Sequence, residues 1–176
     1  MKRWQLNFPN ILSLIRIALT FVFAILLFKS FKFLSAGIFL LAIFTDVLDG
    51  YLARKYKQVT LLGKILDPAA DRLLFLLTFL VLLFRYNLPL WFAILAFSYH
   101  LLLIFGWIII FETRSITIVH SFFGKMTSFL EVIMFFAVIF NFYPRIFFAL
   151  VIFFMVVAFA SYLIKALNIL RTVEST

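Results

Sequence analysis

Polar residues interrupt this 176-residue chain only at intervals, and the apolar stretches between them are long enough to cross a bilayer. A helix needs about 20 mostly apolar residues for that. This ruler predicts six spans, near Asn10–Phe28, Phe33–Lys55, Asp67–Phe84, Pro89–Phe111, Lys125–Phe140 and Arg145–Ile169. Pro9, Pro89 and Pro144 stand at or just before span starts, where a missing N–H costs no helical hydrogen bond, and Pro68 takes the first turn of the third span for the same reason. No internal repeat or low-complexity linker breaks the series. The pattern therefore predicts an all-α membrane protein, a single domain over 1–176 built as a six-transmembrane-helix bundle. Lys2 and Arg3 precede the first apolar run as in a signal peptide. No small-residue cleavage site follows Leu27, so that span is expected to remain.

Composition sharpens this picture. Hydrophobic residues make up 66% of the chain, with 27 Phe, and a water-soluble domain of this length leaves roughly a third of its surface in water. The bilayer must be the solvent. Without cysteine there is neither a disulfide framework nor a thiolate metal site. The net charge of +9 sits singly or in small groups between spans, which points to topology and anionic ligands and away from nucleic acid. Lys2, Arg3, Arg54, Lys55, Lys57, Lys64, Arg114, Lys125, Lys165 and Arg171 belong to one side of a six-span layout; Lys29, Lys32, Arg85 and Arg145 belong to the other. Positive charge favours the cytoplasm, so both termini and the 2–3 and 4–5 loops are expected there.

The acids carry the chemistry. Of seven, Asp46, Asp49, Asp67 and Asp71 fall within 26 positions, at or inside the ends of two consecutive apolar helices. At about 1.5 Å per residue, Asp46 lies roughly 20 Å along its helix from Phe33 and Asp71 roughly 21 Å back from Arg85; Asp49 and Asp67 come at about 24 and 27 Å. Antiparallel helices would thus stack the carboxylates in two matched layers, each pair sharing a face through its i,i+3 or i,i+4 spacing. Ionised carboxylates at that depth cost several kcal/mol each unless paired or metal-bound. Salt bridges to Arg54, Lys64 and Arg72 would neutralise them but leave the spacing unexplained. Hard divalent cations do so directly, and all-oxygen ligation with waters selects Mg²⁺ or Mn²⁺ over zinc. Such a site suits a diphosphate ligand.

The segment Asp46-Val-Leu-Asp49-Gly50-Tyr-Leu-Ala53-Arg54, then eight residues, then Gly63-Lys-Ile-Leu-Asp67-Pro-Ala-Ala-Asp71 resembles the signature of the CDP-alcohol phosphatidyltransferase family, matching all eight specified positions at the required spacings. Pro9-Asn10-Ile11-Leu12-Ser13-Leu14-Ile15-Arg16 looks like the family's amino-terminal segment. Gly124-Lys125-Met126-Thr127-Ser128-Phe129-Leu130-Glu131 is similar to a later element, with Ser128 and Glu131 departing from it. The resemblance implies a six-helix fold, usually a homodimer, with its active site facing the cytoplasm. It implies that Asp46, Asp49 and Asp67, with Asp71 as a further ligand, bind two metal ions, Mg²⁺ or Mn²⁺, and that Asp71 is also the general base. Gly50 and Gly63 would admit cytidine close to the backbone, Ala53 would keep the nucleotide pocket shallow, and Arg54 would contact the diphosphate. The reaction implied moves a phosphatidyl group from CDP-diacylglycerol onto an alcohol.

The acceptor is less sharply written. Family members of this size and layout most resemble those that use glycerol 3-phosphate. These typically carry Ser-Arg and an acid in the fourth span, where this chain has Ser98-Tyr99-His100. Arg16, Arg72, Arg114 and Lys125 are the candidate anion-binding groups, and each could instead be a snorkelling charge. His100 and His120 read as packing residues, and Glu131 as a group hydrogen-bonded within the bundle. A lipid acceptor, phosphatidylglycerol, as in a cardiolipin synthase, is the alternative. A divalent-cation transporter is the remote one, because intramembrane carboxylates also mark ion paths, but no inverted repeat supports it.

Overall fold

A computed structural model describes residues 8–56, 61–112, 122–142 and 144–174; side chains are described for these apart from 8–9, 53–54, 61–62, 64, 107–112, 144 and 165–174. Six helices follow in order: α1 (Phe8–Phe28), α2 (Lys32–Lys55), α3 (Leu61–Arg85), α4 (Leu90–Glu112), α5 (Phe122–Ile139) and α6 (Pro144–Glu174). Among the described residues there is no strand. Four stretches are long and apolar enough to cross a membrane by length and composition: Asn10–Phe28, Lys32–Leu52, Phe122–Ile139 and Arg145–Ile164. The chain divides into two compact units, Met1–His100 and Leu101–Thr176, and each is described by itself.

The third helix departs from its predicted bounds. It begins at Leu61, so Pro68 lies two turns inside it and not in its first turn. An apolar ruler stops at Lys64 and Asp67, but a helix can run on past the hydrocarbon, and Leu61-Leu62 and Ile65-Leu66 continue it. Pro68 cannot donate to the carbonyl of Lys64, so the turn around Asp67 gives up a hydrogen bond.

In the first unit α1 is the hub, packing against both α2 and α3. Its buried stripe is Asn10, Ser13, Arg16, Thr20, Phe23 and Leu27, at helical spacings of three and four, while Ile11, Leu14, Ile15, Phe21, Val22 and Ile25 face outward. A helix in water turns its polar face out; this one turns it in, as a bilayer solvent requires. The chain is a membrane protein.

Only three residues separate α1 from α2. Ser30 takes a left-handed φ of 65° and the Phe31 N–H donates to the Leu26 carbonyl at 3.0 Å, closing the helix end in the Schellman manner. The tight turn fixes the register between the two helices. Phe23 meets Phe39 with ring centroids 5.1 Å apart; seven residues back along α1 and seven on along α2, Arg16 meets Asp46; three further each way, Ser13 meets Asp49. At the turn end, Lys32 lies 5.7 Å over the Tyr86 ring, and Arg85 caps the Phe28 ring at 5.2 Å and donates to the Ser30 hydroxyl at 3.1 Å. The start of α2 thus adjoins the end of α3, as antiparallel neighbours require. The aromatic contact of Phe79 with Phe92, 6.1 Å between centroids, ties α3 to α4.

In the second unit α5 packs on α6. Thr127, Leu130, Glu131, Met134 and Phe135 are buried on α5, Val151, Met155 and Ala158 on α6. A Cβ at Gly124 would run into the Tyr162 hydroxyl and stand 3.1 Å from its ring Cζ. Gly124→Ala is therefore expected to destabilise this helix pair by about 1–3 kcal/mol through overpacking. Tyr162→Phe in the same chain should recover part of the loss, and thermal unfolding of the four variants of the cycle in detergent checks it.

Candidate active site

Three of the four signature aspartates are joined through α1. The Ser13 hydroxyl is 2.5 Å from Asp67 Oδ1, to which it donates, and 3.4 Å from Asp49 Oδ2. One hydroxyl therefore reaches carboxylates of α2 and α3 at once. Arg16 spans the two acids of α2, pairing with Asp46 through Nη1 at 2.7 Å and with Asp49 through Nη2. Asp71 lies within electrostatic reach of Asp46, Arg72, Arg16 and His100. On α2 the i,i+3 spacing turns Asp46 and Asp49 to one guanidinium.

The two α2 carboxylates differ in access. The Asp46 side chain is 43% exposed and the Asp49 side chain 3%. Asp49 also accepts a hydrogen bond from the Gly50 N–H. Arg16 between them is wholly buried; within α1 the Thr20 hydroxyl donates to the Arg16 carbonyl at 2.8 Å.

The described ion pairs include a cation from another helix. Salt bridges to Arg54, Lys64 and Arg72 are set aside above in favour of metal; the guanidinium set between Asp46 and Asp49 is Arg16, from the first helix. Arg72 turns instead to His100, its Nη1 lying 3.2 Å from Nδ1; a guanidinium can only donate, so Nδ1 accepts. His100 is buried, stacked on Phe75 at 5.4 Å and 9° and flanked by Phe79 and Tyr99. It is a packing residue, as its sequence context suggests, with a polar contact added.

Gly63 is buried and Gly50 half-buried, on the two helices that carry the acids. The side chains of Ala53, Arg54 and Lys64 lie outside the described residues, as do Arg114 and His120. Lys125 is exposed on α5 and Glu131 buried there, both in the second unit.

Four carboxylates are hard oxygen donors and suit a hard divalent cation in kind. Among the described residues no group of three or more acidic, histidine or cysteine side chains is disposed to hold one as it stands, and Arg16 already neutralises Asp46 and Asp49.

The sequence profile of the CDP-alcohol phosphatidyltransferase family matches residues 6–163. The chain belongs to that family. Among curated relatives, a CDP-diacylglycerol–glycerol-3-phosphate 3-phosphatidyltransferase of Wigglesworthia glossinidia brevipalpis is 40% identical over 93 residues, 51% of this chain and 50% of the relative. A protein of the same name from Rickettsia bellii is 46% identical over 71 residues, 39% of each chain. A cardiolipin synthase (CMP-forming) of Streptomyces coelicolor is 41% identical over 100 residues, 53% of this chain and 46% of the relative. The chain thus spans about half the length, or less, of the curated relatives it matches.

Sequence reasoning named Arg16 only as a possible anion-binding charge and gave Ser13 no role. The signal that would have found both is the polar stripe Asn10, Ser13, Arg16, Thr20 in an otherwise apolar span, together with a turn short enough to set the α1–α2 register.

The unequal access of the two α2 acids yields a prediction. Asp49→Asn should destabilise the protein by about 3–5 kcal/mol, the cost of breaking a buried pair. Asp46→Asn should cost about 1 kcal/mol or less, as for a solvent-screened pair. Thermal unfolding of the metal-stripped variants checks the difference.

Proposed function

We propose that this chain transfers a phosphatidyl group from CDP-diacylglycerol to glycerol 3-phosphate, releasing CMP. The observation that carries the reading is the gathering of signature carboxylates from α2 and α3 around one hydroxyl and one guanidinium of α1. The names of the Wigglesworthia and Rickettsia relatives support the acceptor.

In this reaction the acceptor hydroxyl attacks the lipid-side phosphorus of the diphosphate. A new P–O bond forms, the bond to the CMP oxygen breaks, and the hydroxyl proton passes to Asp71 as general base. Asp46, Asp49 and Asp67, with Asp71 adjoining, would hold two divalent ions, Mg²⁺ or Mn²⁺. Such ions, when bound, neutralise the diphosphate and the charge developing on CMP. Gly50 and Gly63 would let the nucleotide approach the helix backbones, since neither carries a Cβ; Ala53 would leave room for it, and Arg54 would contact the diphosphate. Arg72, aimed by His100 and next in sequence to the base, would grip the acceptor phosphate. Direct attack is favoured over a covalent intermediate, because no cysteine or Ser/His/Asp arrangement offers a nucleophile.

The reading includes an active site and both termini on the cytoplasmic side, from the Lys/Arg asymmetry, and a homodimer. The Streptomyces relative and the missing Ser-Arg in α4 favour phosphatidylglycerol as the second acceptor to test.

Purified protein given CDP-diacylglycerol should release CMP with glycerol 3-phosphate and not with phosphatidylglycerol; the reverse would assign the second reading. Turnover should vanish in chelator and return with Mg²⁺ or Mn²⁺. Asp71→Asn should keep most nucleotide-lipid binding and lose about 10²–10⁴-fold in turnover, whereas Asp49→Asn should lose both. Parallel losses at the two positions would remove Asp71 from the role of base. Arg72→Ala should raise KM for glycerol 3-phosphate with a smaller effect on that for the CDP-lipid.

A further inference from the structure

The carboxylate cluster is not empty of charge: it already contains a cation of its own. Arg16 is wholly buried, and its guanidinium contacts Asp46 and Asp49. A divalent ion ligated by the same two carboxylates would compete for the same oxygens. A guanidinium and a divalent ion about 4 Å apart repel by several kcal/mol even at an effective dielectric of about 20, so one site cannot hold both in these positions.

Arg16 is, moreover, an imperfectly satisfied occupant. Among the described residues its Nε is buried with no hydrogen-bond acceptor, and a buried donor left unmade carries a penalty. The helix that bears it is tied to α3 without the guanidinium, by Ser13 to Asp67. The side chain can therefore leave the carboxylates while α1 stays in place. Asp46, the partner on the open side, gives an incoming ion its first contact.

We propose that Arg16 is an exchangeable internal counter-cation: it holds Asp46 and Asp49 in the metal-free chain and is displaced from them by the divalent ion. The proposal rests on the reading of these aspartates as metal ligands. Its consequence is that Arg16 sets metal affinity from below. The charge that lets the carboxylates be buried without metal is the charge that metal must expel.

The test is Mn²⁺ binding to the full-length, metal-stripped protein in detergent without lipid substrate, followed by electron paramagnetic resonance of the free ion. Arg16→Gln removes the competitor, so Mn²⁺ should bind at least about tenfold more tightly than to the native chain. Mere structural damage moves affinity the other way. Arg16→Lys keeps the charge but loses the two-pronged grip, and should fall between. If Arg16→Gln does not fold, the comparison of Arg16→Lys with the native chain carries the test.

Thermal unfolding adds a second readout: Mn²⁺ should raise the melting temperature of the Arg16 variants more than that of the native chain. Equal or weaker Mn²⁺ binding in the variants, with clear binding to the native chain, overturns the counter-cation and leaves the metal site standing. Absence of Mn²⁺ binding to all three proteins overturns both.

Discussion

Burying a guanidinium between two carboxylates inside an apolar helix bundle is the constraint on which the first unit turns. Arg16 cannot reach water, and a lone charge in that position would cost several kcal/mol. Asp46 and Asp49 supply the compensation, and Ser13 extends it to Asp67 on a third helix. The arrangement dictates which faces of α1, α2 and α3 meet, because any rotation of one helix would strand a charge. Apolar packing in a membrane is permissive, since lipid tails solvate leucine as well as another helix does. Polar contacts supply the specificity that the hydrophobic effect cannot.

The same inversion runs along α1. Its hidden stripe is polar for four of six positions, and its outer face is isoleucine, leucine, phenylalanine and valine. Local preference and bilayer environment agree there, and the exception, a cluster of acids and one arginine, is where the chemistry is sought. Departures from the local rule mark functional sites.

Much of this was legible in the chain itself. Six apolar runs predict six helices, and the 46/49 and 67/71 spacings place the acids on common faces. What the pattern concealed has physical causes. The start of α3 was missed because hydropathy records where the bilayer ends and not where hydrogen bonding ends, so Leu61–Leu66 went uncounted. Arg16 was missed as a partner because its closeness to Asp46 depends on the length of a turn and the register it sets, neither of which appears in a window average. Arg72 stands beside Asp71 in sequence, but its contact with His100 depends on how α4 packs, and no spacing rule within one helix reaches that far.

The turn between α1 and α2, closed by the left-handed Ser30, bears on how such a chain enters its membrane at all. Three linking residues leave no room for the first helix to settle before the second follows. The two form a hairpin whose register brings Arg16 level with Asp46 and Asp49. A hairpin inserted as a unit would carry these ionised groups into the bilayer with their countercharges alongside, at a smaller cost than each alone. A longer, looser linker would present each helix separately, one with a naked cation and the other with two naked anions.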